Sequence, residues 1–216
     1  MKRIDRYLLL LVGLMGAYVL IFFSLDFASE HVAERYIIHC ALDDLIPFNE
    51  WFAIPYFLWF LAFPGGLLAF WRLDKGDFLE LCFVIFGGAA VSFCVYLLWP
   101  NGLALRPELA ADNLAGRMLA LVWLVDAPNN VCPSLHVSIS VAIGLVCWRA
   151  RRLKAHLGLR LGVWGLMLLI CVSTLFVKQH SVIDVAAGAA LSLILYGLAE
   201  LWRRRDERKT YFISRK

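Results

Sequence analysis

Residues 78–99 read FLELCFVIFGGAAVSFCVYLLW, an apolar run whose one formally charged residue, Glu80, lies near its start. The run shows no polar–apolar alternation of period two and is several times longer than an ordinary strand. About 20 apolar residues make a helix that crosses the roughly 30 Å of a bilayer's hydrocarbon, so the stretch predicts a membrane span. Working outward, comparable stretches occur at roughly 7–25, 51–71, 135–149, 158–177 and 182–202, that at 135–149 being the shortest. With 62% hydrophobic residues and a mean hydropathy of +0.73, the composition excludes an ordinary soluble fold. No stretch has the dyad pattern of a transmembrane barrel, so helices must satisfy the backbone. The expected fold is all-α, a polytopic bundle of six transmembrane helices in one domain spanning 1–216. Its core covers about 50–202, and a short basic tail follows at 203–216.

Lys2, Arg3 and Arg6 precede the first apolar run in the manner of a signal peptide. The run is long and the small residues near Ala28 and Ser29 make a poor cleavage site, so a retained first helix is expected. Leu114–Val125 is too short for a seventh span and reads as an interfacial or re-entrant segment. Cys82, Cys94, Cys147 and Cys171 fall inside spans, which argues against a disulfide framework. The net charge of +4 is small, and no basic surface with interleaved aromatics suits nucleic acid. The pairs Gly65–Gly66 and Gly87–Gly88 suit close helix packing, and Trp51, Trp71, Trp99, Trp148 and Trp202 suit the bilayer interface.

Cytoplasmic loops are enriched in Lys and Arg, which orients the bundle. Lys2, Arg3 and Arg6, then Arg149, Arg151, Arg152, Lys154 and Arg160, then Arg203, Arg204, Arg205, Arg208 and Lys209 fall on one side. The other side receives Asp26, Glu30, Glu34, Asp43, Asp44 and Glu50, the loop from about 100 to 131, and the turn around His180. Both termini are therefore expected in the cytoplasm, and the second set outside it, in a bacterial inner membrane or its equivalent. The loop Arg72–Glu80 has mixed charge and does not vote.

Three clusters on the outer side carry possible chemistry. In Cys132-Pro133-Ser134-Leu135-His136, a proline begins a helix whose free amides can bind an anion, Ser134 adds a hydroxyl and His136 a proton carrier. The same residues equally suit a plain helix start with an interfacial histidine. His180 and Asp184 are four apart and share one helix face, where a carboxylate on one imidazole nitrogen leaves the other free to attack. Arg106, ahead of Pro107, and Lys178 are cations able to hold the oxygens of a transferring phosphoryl group. Each alone also reads as a solvated or headgroup-anchoring charge. Asp43 and Asp44 lack a third ligand and read as an acidic outer loop, so no metal is expected.

In order and spacing these residues resemble the type 2 phosphatidic acid phosphatase (PAP2) superfamily, whose pattern is KxxxxxxRP, PSGH and SRxxxxxHxxxD. Arg106-Pro107, Pro133–His136 and Ser173 through His180 to Asp184 match it, over about residues 50–200. The pattern's Lys, Gly and second Arg are here Trp99, Leu135 and Thr174. Two phosphate-binding cations are thus absent, and Lys178 is expected to replace one. The wording PSLHV and KQHSVID is similar to the branch that includes inositol phosphorylceramide synthase relatives. The resemblance implies that His180 attacks phosphorus, Asp184 orients it, and His136 protonates the leaving oxygen. It further implies that Arg106, Ser134 and neighbouring amides bind phosphoryl oxygens, without a cofactor. The expected activity is hydrolysis of a lipid phosphate or polyprenyl diphosphate at the extracytoplasmic face, with membrane lipids as the surroundings and no nucleic-acid partner. Transfer of a phospho-headgroup to a lipid and a noncatalytic membrane role are the alternatives.

Overall fold

Long apolar runs fold into helices, and the punctuation between them sets their ends. The computed structural model describes residues 5–29, 31–32, 34–109 and 112–213, with side chains through Arg205. Lys2, Arg3 and Glu30, and the side chains of Arg208 and Lys209, lie outside this set. Apart from one short strand pair the described chain is all-α: α1 (Arg6–Ser29), α2 (Ala41–Leu45), α3 (Ala53–Leu73), α4 (Lys75–Leu98), α5 (Leu114–Val125), α6 (Leu135–Arg149), α7 (Leu157–Phe176) and α8 (Val182–Ile213). Polar caps begin several of them, as expected of unpaired first-turn amides. Asp74 accepts from the amides of Gly76 and Asp77 at α4, Asn113 from Gly116 at α5, and Ser134 from Val137 at α6.

Five helices are long and apolar enough to cross a membrane: Arg6–Ser29, Glu50–Leu73, Lys75–Leu98, Leu157–Phe176 and Val182–Arg205. The expected sixth span, α6, differs. It has fifteen residues, and at about 1.5 Å per residue it falls short of the roughly 30 Å of hydrocarbon. Eleven of those residues are buried, because α3, α4, α7 and α8 all pack against it. A helix wrapped by others has its surface covered by protein, so lipid thickness does not dictate its length. By contrast only 11% of the α1 span is buried, and leucines and phenylalanines such as Leu20, Phe23 and Phe27 face outward.

Where lipid is the solvent, helix association depends on close packing at small residues. Of the expected glycine pairs, Gly66 and Gly88 serve this role, with Ile143 and the Ser138 hydroxyl where a side chain would stand. Gly65 faces open space, and Gly87 has only Leu195 nearby at 3.9 Å. The tightest crossing went unread in the sequence. A Cβ on Gly188 would lie 2.5 Å from the Ser134 carbonyl oxygen, a backbone atom that cannot swing aside. Gly188→Ala is expected to force α8 away from the start of α6 and to lower stability by about 1–3 kcal/mol. Thermal unfolding in detergent measures this, and a wild-type midpoint would show that the crossing tolerates the methyl.

At one end of the bundle the described residues of the connections 31–52 and 99–134 fold over the helix ends. Strands β1 (Tyr36–Ile37) and β2 (Asn101–Gly102) pair in parallel, Tyr36 opposite Asn101 and Ile37 opposite Gly102. Asn101 is fully buried, and its side chain accepts from the amides of Val131 and Cys132 and donates to the carbonyls of Trp99 and Cys132. That one amide ties the end of α4 to the approach of α6. At the opposite end, Arg149 pairs with Asp77 at 2.8 Å and Glu80 at 2.5 Å, which accounts for the mixed charge of the Arg72–Glu80 stretch.

Candidate active site

The start of α6, the α7–α8 turn and the start of α8 meet beneath this cap. After α7 the chain reverses through Lys178, whose φ of 56° lies in the left-handed region. The amides of Gln179 and His180 both donate to the Thr174 carbonyl, at 3.0 and 3.2 Å. In the first turn of α8, Asp184 Oδ2 accepts from the Ser181 amide at 2.8 Å and contacts His180 Nδ1 at 3.2 Å. A carboxylate there favours the proton on Nδ1 and leaves Nε2 unprotonated. The Ser134 amide donates to the Asp184 carbonyl at 3.1 Å, so the bare face of Gly188 and this bond together bring α6 against α8.

That crossing brings His136 to His180, with ring centroids 5.6 Å apart. His136 lies against Trp59, at 4.2 Å, and Tyr56, at 4.6 Å. It is 8% exposed, and its Nε2 has no hydrogen-bond partner among the described residues. Both imidazoles line a cavity of about 560 Å³ whose remaining wall is mainly aromatic and aliphatic, including Phe22, Phe57, Phe60, Phe93 and Val125. The cavity runs between α1, α3 and α5, so its polar end holds two histidines and its apolar end suits hydrocarbon.

A second set of polar groups completes that end. The Tyr56 hydroxyl donates to Asp126 Oδ2 at 2.8 Å, and Gln179 Nε2 donates to the same oxygen at 3.3 Å. Arg106 donates from Nε to Gln179 Oε1 at 3.0 Å and from a terminal nitrogen to the Asp126 carbonyl at 2.5 Å. Its guanidinium carbon also lies 5.1 Å from the centroid of the Trp123 ring. Burial raises the Asp126 carboxyl above its ordinary value, opposed by the Tyr56 hydrogen bond and the charges of His180 and Arg106. Burial likewise lowers Arg106 from its usual value.

Of the residues expected to act, His136, His180 and Asp184 come together. The residues expected to bind phosphate, Arg106, Ser134 and Lys178, each have protein partners of their own. The Ser134 hydroxyl is fully buried and caps α6. Lys178 points away: its ammonium donates to the carbonyls of Asp43 and Ile46, at 2.8 and 2.6 Å, because the end of α2 presents unpaired acceptors there. Its ammonium is thus committed to these carbonyls, and Lys178 is not among the residues that line the cavity with the histidines. Arg106 stands behind Gln179 and Asp126, which themselves line the cavity. Asp44 is an exposed partner of His39, as an acidic loop residue would be, but Asp43 is 2% exposed. Asp43 accepts from the Ser181 hydroxyl at 2.7 Å and from the amides of Val182 and Cys40, each at 2.8 Å. With Lys178 it braces the turn that carries His180. The sequence does not single out Tyr56, Asp126 or Gln179, and it shows Asp43 only as an acidic loop residue. For Asp126 a signal existed, since a carboxylate closing the apolar Leu114–Val125 helix needs a partner.

No family model and no solved structure matches the chain. An uncharacterized protein of Methanocaldococcus jannaschii is 25% identical over 166 residues, which are 76% of this chain and 65% of that protein. The matched region thus spans less than two thirds of the relative's length.

Proposed function

We propose that the protein is a membrane-embedded phosphoryl-transfer enzyme of the type 2 phosphatidic acid phosphatase kind, acting on a lipid phosphate or polyprenyl diphosphate. In this reading α6 counts as the sixth bundle helix, and the histidine end of the cavity faces the extracytoplasmic side. The reading rests chiefly on one observation: a His180–Asp184 pair faces His136, whose Nε2 is unpartnered among the described residues, at the polar end of an apolar cavity. His180 Nε2 attacks phosphorus, His136 gives a proton to the leaving oxygen, and water resolves the phosphohistidine. The outer ends of α6 and α8 are helix N-termini, whose dipoles favour the anion. They supply part of what the diverted Ser134 and Lys178 do not.

The basic residues at the Arg149 end support the orientation by the positive-inside rule. The test is release of phosphate by purified protein in detergent, with EDTA present, from phosphatidic acid, lysophosphatidic acid, diacylglycerol pyrophosphate and undecaprenyl diphosphate. Release from at least one, with a phosphate label trapped on His180, is expected. Full release without label on any histidine would refute the phosphohistidine route.

A further inference from the structure

The Asp126 carboxylate has no task in that two-histidine cycle. Its Oδ2 is occupied by Tyr56 and Gln179, while Oδ1 has no hydrogen-bond partner among the described residues. The residue is partly exposed and lines the cavity beside both histidines. The second oxygen of a carboxylate that lines a largely apolar cavity is costly to leave without a donor. A phosphoryl oxygen is an anionic acceptor and is repelled. An ammonium is not required, because Arg106 already places positive charge against Asp126 and donates to its carbonyl. The fitting occupant is a neutral hydroxyl held close to the phosphorus.

We propose that Asp126, fixed by Tyr56 and Gln179, forms a hydroxyl-binding subsite through which a polyhydroxy alcohol competes with water for the phosphohistidine. The inference rests on the phosphohistidine reading above. In the transfer step one acceptor oxygen forms a bond to phosphorus as the His180 Nε2–P bond breaks. The proton of that hydroxyl passes to His136 Nε2, which lost its own to the leaving group in the first step. A neighbouring hydroxyl of the same acceptor donates a hydrogen bond to Asp126, which takes up no proton.

The test supplies labelled phosphatidic acid to the purified protein in detergent with equal concentrations of glycerol and 1-propanol. It measures label on His180 and the ratio of glycerol phosphate to propyl phosphate. Wild type is expected to favour glycerol about tenfold, the worth of one hydrogen bond to a charged group. Asp126→Asn is expected to bring the ratio near one, whatever its rate of phosphoenzyme formation. Tyr56→Phe, which loosens Asp126 without removing it, is expected to fall between them and serves if Asp126→Asn does not fold. A wild-type ratio near one, or an unchanged ratio in the variants, overturns the subsite while leaving the phosphohistidine in place. Absence of label on wild-type His180 overturns both.

Discussion

His180→Ala is expected to abolish phosphoryl transfer, with a loss of about 10⁴-fold or more and no phosphate label on the protein. Of the groups gathered at the site, Asp184 is fully buried behind the imidazole, and His136 has the proton-transfer role in the proposed cycle. The size follows from removing one member of an interdependent set, since the remaining groups then have no phosphoenzyme to act on. Asp184→Asn tests the tautomer argument independently. An amide can present its NH₂ group to Nδ1 and so favour the proton on Nε2, which makes that nitrogen a donor instead of a nucleophile. A loss of about 10³- to 10⁴-fold is expected, by analogy with tautomer-fixing carboxylates elsewhere. Stopped-time labelling with a radioactive phospholipid, alongside steady-state phosphate release, reads both variants. Retained turnover in His180→Ala would show that these histidines neighbour the chemistry without performing it.

Much of the fold was legible because lipid imposes a simple rule on sequence. Apolar runs such as Phe78–Trp99 must be helices, and each expected stretch is one. The short run at 135–149 was legible as a helix, but not as the enclosed centre of the bundle. That position depends on which neighbours wrap it, and hydropathy alone cannot tell a protein-facing from a lipid-facing surface. The same limit applies to Gly188, whose importance arises from a crossing with Ser134 far away in sequence.

The candidate site divides along similar lines. His180 and Asp184 lie one helical turn apart, so their pairing is local and readable. His136 joins them through the α6–α8 crossing and was placed by motif order. The partners of the cationic residues were not legible, because a charge in a loop does not reveal what it meets. Lys178 was assigned to phosphate by nearness in sequence to His180, yet its stem extends to carbonyls 132 and 135 residues earlier in the chain. Tyr56, Asp126 and Gln179 converge from three separate regions, and no spacing rule connects them.

Asp43→Ala is expected to cost about 3–5 kcal/mol and to lower activity with it, which distinguishes a brace from an ordinary acidic loop residue. The carboxylate satisfies the Ser181 hydroxyl and the Val182 amide across the α2–α8 junction, as well as its own Cys40 amide. Hydrogen bonds to a charged group contribute about 1.5–3 kcal/mol each, and the deletion leaves buried donors unpaired. His180 is one residue from Ser181, so a loosened α8 start displaces the imidazole from Asp184 and His136. Asp43→Asn keeps an acceptor oxygen and is expected to lose about half as much. Burial alone would raise the Asp43 carboxyl, but the bonds from Val182, Ser181 and Cys40 outweigh it and hold it below 3.8. A depressed carboxylate contributes stability above its unfolded value and loses it as pH falls through the folded one. The wild type should therefore keep this contribution at neutral pH and lose it only below about pH 4, whereas Asp43→Ala has none to lose. Thermal midpoints of both proteins in detergent, followed from pH 7 to pH 3, give the difference directly. Converging midpoints toward low pH are the expected result, and equal midpoints at pH 7 would mean that α8 is held in place without the Asp43 carboxylate.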